Sequence, residues 1–152
     1  MTTSKAHTEY TTQQSTLTSR GAQLALDAAL KKAQEIGLAA SICVLDAAGR
    51  MKAFHAMDGA PAISHETAQK KARLALGFGI PTGDAWFQFI EKDPILFHGA
   101  QHLPDFILLG GGSPIQSAGA LVGAIGVSGG HYKQDEQVTQ AALAALAMPI
   151  SS

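Results

Sequence analysis

Cysteine is nearly missing from this chain of 152 residues: Cys43 stands alone in the apolar run Ile42-Cys43-Val44-Leu45. No disulfide framework can form within one chain, and a lone thiol in such a run reads as a small buried hydrophobe. Charge is also scarce, at 15% of residues with a net of -1. That excludes the basic surface a nucleic acid or an anionic membrane would require. With 46% of residues apolar, disorder is excluded for most of the chain. No apolar run approaches the roughly 20 residues of a membrane span. The polar, Thr/Gln/Ser-rich residues 1–16 hold no apolar h-region, so no secretory signal is expected. The expectation is a cytoplasmic protein with a flexible tail over 1–16 and a single domain over 17–148. Phosphate-loop chemistry is unsupported, because Gly110-Gly111-Gly112 lacks the Lys-Ser/Thr ending.

What is present in quantity is alanine and glycine. The segment Gly119 to His131 reads as a glycine-punctuated apolar strand running into a Ser-Gly-Gly turn. Glycines along a strand imply close approach of another group to the backbone. The turn, at a helix start, offers N–H groups to an acceptor. Around it the spacing predicts a helix capped by Thr18, with Ala22, Ala25, Leu26, Ala29, Ala33 and Ile36 inward. A β-hairpin follows, Ser41–Asp46 with Met51–Met57, placing Met51, Ala53, His55 and Met57 on one face. A second helix is capped by Ser64, with Lys70, Lys71 and Arg73 on its solvated side, and Thr82 caps a short third helix bearing Trp86, Phe87 and Phe89. Residues 92–104 read as a loop, Phe106–Leu109 as a strand, Ser113–Gln116 as an edge strand, Ala120–Ser128 as a central strand, and 134–147 as the last helix. Hairpin-linked strands point to an α+β fold: a five-stranded antiparallel sheet packed with about four helices.

Five segments occur in order: Val44 to Gly49, Met57 to Pro61, Lys71-Ala72-Arg73 with Pro81-Thr82, Gly110 to Ile115, and Gly123 to Gly130, closed by Gln134-Asp135-Glu136. Together, over about residues 17–147, they resemble the GlcG/HbpS-type heme-binding protein family, which is similar to the C-terminal domain of some corrinoid adenosyltransferase-related proteins. The resemblance implies a profilin-like fold, a homo-oligomer, association with catabolic genes and, for some members, heme or another tetrapyrrole as ligand. Ala56 stands where members commonly carry an arginine, Leu74 where a threonine is usual, and His131 where a small hydroxyl residue is common.

Two functions follow. The first is a small-ligand-binding protein holding heme or a related tetrapyrrole between the Asp58 loop and the Ser128–His131 turn. Met57, Gly59, Lys71, Arg73, Ser128, Gly129 and Gly130 are the candidate ligand-binding residues. Met57 offers a soft axial sulfur, and Lys71 or Arg73 a cation for a propionate. The second is a cofactor-independent hydrolase, lyase or isomerase acting on a small unsaturated carboxylate. There the Gly129 and Gly130 N–H groups hold the anion while His131, His55 or Asp58 moves the proton. No metal site is expected: His98 and His102 lack a third ligand. The exposed aromatic helix and the small-residue helices predict a symmetric homo-oligomer, with no nucleic-acid or membrane partner.

Overall fold

Helices and two hairpin-linked strand pairs build around one sheet, and the computed structural model describes residues 9–148. In order they are α1 (Ser19–Glu35), β1 (Ser41–Asp46), β2 (Met51–Ala56), α2 (Ser64–Phe78), α3 (Asp84–Ile90), α4 (Pro94–Ala100), β3 (Gly112–Ser117), β4 (Ala120–Ser128) and α5 (Tyr132–Ala147). The four strands run antiparallel in the order β2-β1-β4-β3. The two central strands are almost wholly buried because both faces are covered. On one face, Ile42, Val44, Ile125 and Val127 meet the alanine stripe of α1 and Val138 and Ala142 of α5. On the other, Cys43 and Leu45 meet Ala68 and Ala72 of α2.

The Gly126 position decides how closely α2 lies on the sheet. A Cβ there would overlap the backbone oxygen of Ala68 and crowd the nitrogen of Ala72. The glycines of β4 thus let a helix backbone rest directly on the strand, the close approach the sequence pattern implied. Thr18 caps α1 as expected, its Oγ1 accepting from the Gly21 N–H at 3.0 Å.

Several expectations are corrected. The sheet has four strands, not five, and the helices number five among the described residues. Phe106–Leu109 is not a strand. Phe106, Ile107 and Leu108 instead pack on Leu74, Trp86 and Ile90, which satisfies their apolar character without a ladder. Residues 94–100 form α4 rather than a loop. Asp93 caps it through the N–H groups of Ile95 and Leu96, and Pro94 sits in the first turn, where a missing N–H carries no penalty. Ser64 does not cap α2: it is the first helical residue, and its Oγ lies buried 2.8 Å from the Ser41 Oγ. Thr82 does not cap α3, because its Oγ1 accepts from the Gly112 N–H at 2.9 Å. The last helix begins two residues earlier than expected, at Tyr132. A register shift between Val44 and Leu45 separates Met51 from the face shared by Ala53 and His55. Trp86 is 1% exposed, a core residue rather than a surface one. Of the expected tail, residues 1–8 lie outside the described residues. Thr16 is already held, its Oγ1 accepting from the Ala47 N–H at 2.9 Å.

Candidate functional site

A cavity of about 250 Å³ opens where the start of α2 faces the end of β4 and the start of α5. Pro61 and Ile63 form one wall, Leu109 and Tyr132 the other, and Ser64, Thr67, Ser128 and Lys71 the polar floor. Antiparallel pairing of Ser41 with Ser128 puts both hydroxyls on the α2 face of the sheet, against Ser64 and Thr67. A second cavity of about 330 Å³ adjoins it, lined by Gly83, Asp84, Phe87, Leu108 and Gly110, and shares Leu109 and Tyr132. Together they make a groove with apolar walls and a polar floor at one end.

The floor is organised by an ion pair. The Lys71 Nζ donates to Asp135 Oδ2 at 2.8 Å and to the Val127 carbonyl at 3.0 Å, and both charged side chains are 2% exposed. Asp135 also accepts from the Gly130 N–H at 3.3 Å, and the Gly129 N–H points to it as well. Burial raises the Asp135 carboxyl above its ordinary value, outweighing the Lys71 ammonium and the two N–H groups that pull it down. Beside the pair, Thr67 Oγ1 lies 2.6 Å from Ser128 Oγ and 3.1 Å from the Ile63 carbonyl.

The structure brings some of the expected residues together. Lys71, Ser128, Gly129 and Gly130 all line the inner cavity. The Gly130 N–H, expected to meet a ligand, is engaged by Asp135 instead. Lys71, expected on the solvated side of its helix, is buried. The periodicity carried that signal, since Lys71 falls three residues after Ala68 and four before Ala75 on the buried stripe. Arg73 turns away, bridging Glu66 at 3.0 Å and Asp105 at 3.2 Å, and so ties α2 to the loop before β3. Met57 packs against the α1 side of the sheet and its sulfur accepts from the Ala40 N–H at 3.4 Å. Gly59 sits in the turn after β2 at φ +84°, and Asp58 beside it is exposed. His55, paired with Ile42, lies on the face opposite the cavity, exposed on the outer strand.

His131 is the N-cap of α5. Its Nδ1 accepts from the Lys133 N–H at 3.1 Å, Gln134 Oε1 accepts from its own N–H at 3.1 Å, and its ring stacks on Tyr132 at 4.4 Å. A neutral imidazole accepting at Nδ1 carries its proton on Nε2. Ligating iron through Nε2 would force that proton to Nδ1 and break the cap. At the outer rim Lys133 bonds Asp84 at 3.0 Å, which raises its ammonium above the ordinary value. Cys43 is inert: burial pushes its thiol up to about 12, against a smaller opposing pull from Arg73. Among the described residues no group of three His, Cys, Asp or Glu is placed to hold a metal ion, and no helix is long and apolar enough to cross a membrane.

Sequence reasoning missed Thr67, Ile63, Leu109 and Tyr132 as cavity walls. Tyr132 carried a signal, standing one residue past the glycine turn. Leu109 carried none, because its place depends on Phe106–Leu108 packing as a loop.

The family model described as "Haem degrading protein HbpS-like" matches residues 17–144. The corrinoid adenosyltransferase PduO of Salmonella typhimurium is 30% identical over 120 residues, which cover 78% of this chain and 35% of that protein. The chain therefore spans about a third of the length of that relative. The crystal structure of HbpS matches with a TM-score of 0.82 and 32% identity, over 94% of this chain and 99% of that one. A PduOC:heme complex matches with a TM-score of 0.79 and 28% identity, over 86% of this chain and 94% of that one.

Proposed function

This chain belongs to the HbpS-like family of haem-degrading proteins, and on that premise we propose that it binds heme or a related tetrapyrrole in the groove shared by the two cavities. The observation that carries the reading is the groove's amphipathic build. Phe87, Leu108, Leu109 and Tyr132 give flat apolar walls, and one end holds a buried ammonium and two hydroxyls. A tetrapyrrole has a flat apolar macrocycle that walls of this kind fit. A related solved structure is a heme complex, which supports the class of ligand.

The residues present fit the group in part through Tyr132. It lines both cavities, and its phenol has no hydrogen bond among the described residues. A phenol oxygen is an established kind of heme-iron donor. His131 is committed to capping α5 and Met57 to the far side of the sheet. When bound, heme supplies a redox-active iron. The chain supplies apolar walls that exclude water from the macrocycle, with Lys71 held in place at the floor by Asp135. Hemin titrated into the protein should give a saturable Soret shift that Tyr132→Ala weakens, and the absence of any saturable change would defeat the proposal.

The reading as a cofactor-independent enzyme on a small unsaturated carboxylate has less support. His55, Asp58 and His131 do not converge on the cavity, and the Gly130 N–H is occupied.

We also propose a closed homo-oligomer. Ile95 is 83% exposed, Phe89 56% and Leu109 54%, an apolar surface of the sort that partners cover. Light scattering coupled to size exclusion should give a multiple of 15.7 kDa, reduced by Ile95→Lys; a monomer mass would refute it.

A further inference from the structure

We propose that the inner cavity is a binding site for a small planar molecule taken through a neutral carbonyl oxygen, which would accept from the Lys71 ammonium and the Ser128 hydroxyl. The proposal does not depend on the tetrapyrrole reading.

The argument is one of counting protons. An ammonium has three N–H donors. Val127 O and Asp135 Oδ2 take two from Lys71, and the third has no acceptor among the described residues. Lys71 is 2% exposed and lines the cavity, so that donor is left to whatever enters. A buried donor without a partner carries a desolvation penalty that a ligand acceptor removes.

The hydroxyls add a second donor. Thr67 has one proton and two acceptors in reach, Ile63 O at 3.1 Å and Ser128 Oγ at 2.6 Å. When Thr67 donates to Ser128, the Ser128 proton has no acceptor among the described residues and is free for a ligand. When Thr67 donates to Ile63, Ser128 donates to Thr67. The pair can therefore turn a donor into the cavity by rotating two hydroxyls, with no movement of the backbone.

Charge selects the kind of oxygen. The Lys71 charge is already balanced by Asp135, and Asp135 itself holds the Gly130 N–H that would otherwise draw an anion. A carboxylate entering would bring an uncompensated charge into a buried site next to the Asp135 carboxylate. A ketone or amide oxygen accepts the same two protons without that penalty.

Size selects the body. About 250 Å³ exceeds the roughly 150 Å³ that suffices for benzene. The walls of Pro61, Ile63, Leu109 and Tyr132 suit a single flat ring.

The test uses three probes of one shape: acetophenone, benzoate and ethylbenzene, titrated into the ¹⁵N-labelled protein while the amide signals of Gly129, Gly130 and Tyr132 are followed. Acetophenone should saturate and bind about tenfold tighter than either other probe, the worth of a hydrogen bond from a charged donor. Ser128→Ala should weaken acetophenone severalfold and leave ethylbenzene unchanged. The proposal is overturned if ethylbenzene binds as tightly as acetophenone, if benzoate binds more tightly, if Ser128→Ala leaves acetophenone unaffected, or if no probe saturates these signals.

Discussion

Replacing Lys71 by methionine removes one half of a buried ion pair while keeping the length of the side chain. The pair is 2.8 Å apart and both side chains are 2% exposed, so water cannot reach in to solvate Asp135 when its partner goes. The Gly130 and Gly129 N–H groups alone would remain. Breaking a pair buried to this extent costs about 3–5 kcal/mol, a large part of the roughly 5–15 kcal/mol that holds a domain folded. Urea denaturation should show that loss as a lower midpoint with an unchanged slope. Adding Asp135→Asn removes the stranded charge yet keeps an acceptor for the Gly130 N–H, and should recover about 2 kcal/mol. The effect also has a sign in pH. Burial already raises the Asp135 carboxyl above its ordinary 3.8. The contribution of a raised carboxyl is fullest below its unfolded value and is lost as pH rises to the folded one. Without Lys71 the folded value climbs further, so Lys71→Met should be less destabilising near pH ~4 than near pH ~7. A cost under about 1 kcal/mol, the range of exposed pairs, would refute the reasoning. So would an equal cost at both pH values.

Gly126→Ala should cost about 3 kcal/mol or more in urea, because the new methyl meets the backbone of α2, which cannot give locally. Gly77→Ala, with open space around it in the last turns of α2, should instead stabilise by about 0.5–1 kcal/mol. For Asp46, burial pushes the carboxyl up, but the N–H groups of Arg50 and Ala48 and the Arg50 guanidinium bring it below its ordinary 3.8. Its stabilisation is therefore present above that value and lost as pH falls through the lower folded one, so Asp46→Asn should flatten the acid limb of a stability-against-pH curve. His131→Ala should remove the α5 cap at a cost of about 1 kcal/mol, read by thermal melting.

Elements with a strong local signal were legible in the chain. The alanine stripe of α1 with its Thr18 cap, the buried run of β1 and the glycines of β4 each carry their structure within a few residues. The misread elements are those whose local signal points two ways. Pro94 suits a loop or the first turn of a helix, and Asp93 decided for the helix. Phe106–Leu109 suits a strand or a packed loop, and the Trp86 cluster decided for the loop. One side of the cavity was legible, the glycine-marked Ser128–Gly130 turn, whereas the Asp58 loop expected opposite it contributes only Pro61 to the lining. The cavity's chemistry was not legible, because the Lys71–Asp135 pair joins residues 64 apart in the chain. The first turn of a helix suits any carboxylate, so Asp135 gave no sign of a partner, and the place of Lys71 on the buried stripe of α2 did not say what it would meet. Only the docking of α2 across β4 makes each the partner of the other.

Titration of hemin into the protein, followed in the Soret region, tests the central claim most directly. The account predicts a saturable spectral shift with one heme per chain, weakened by Tyr132→Ala and by Phe87→Ala, the two aromatic walls of the groove. A spectrum that never saturates, or binding that neither substitution alters, would contradict it.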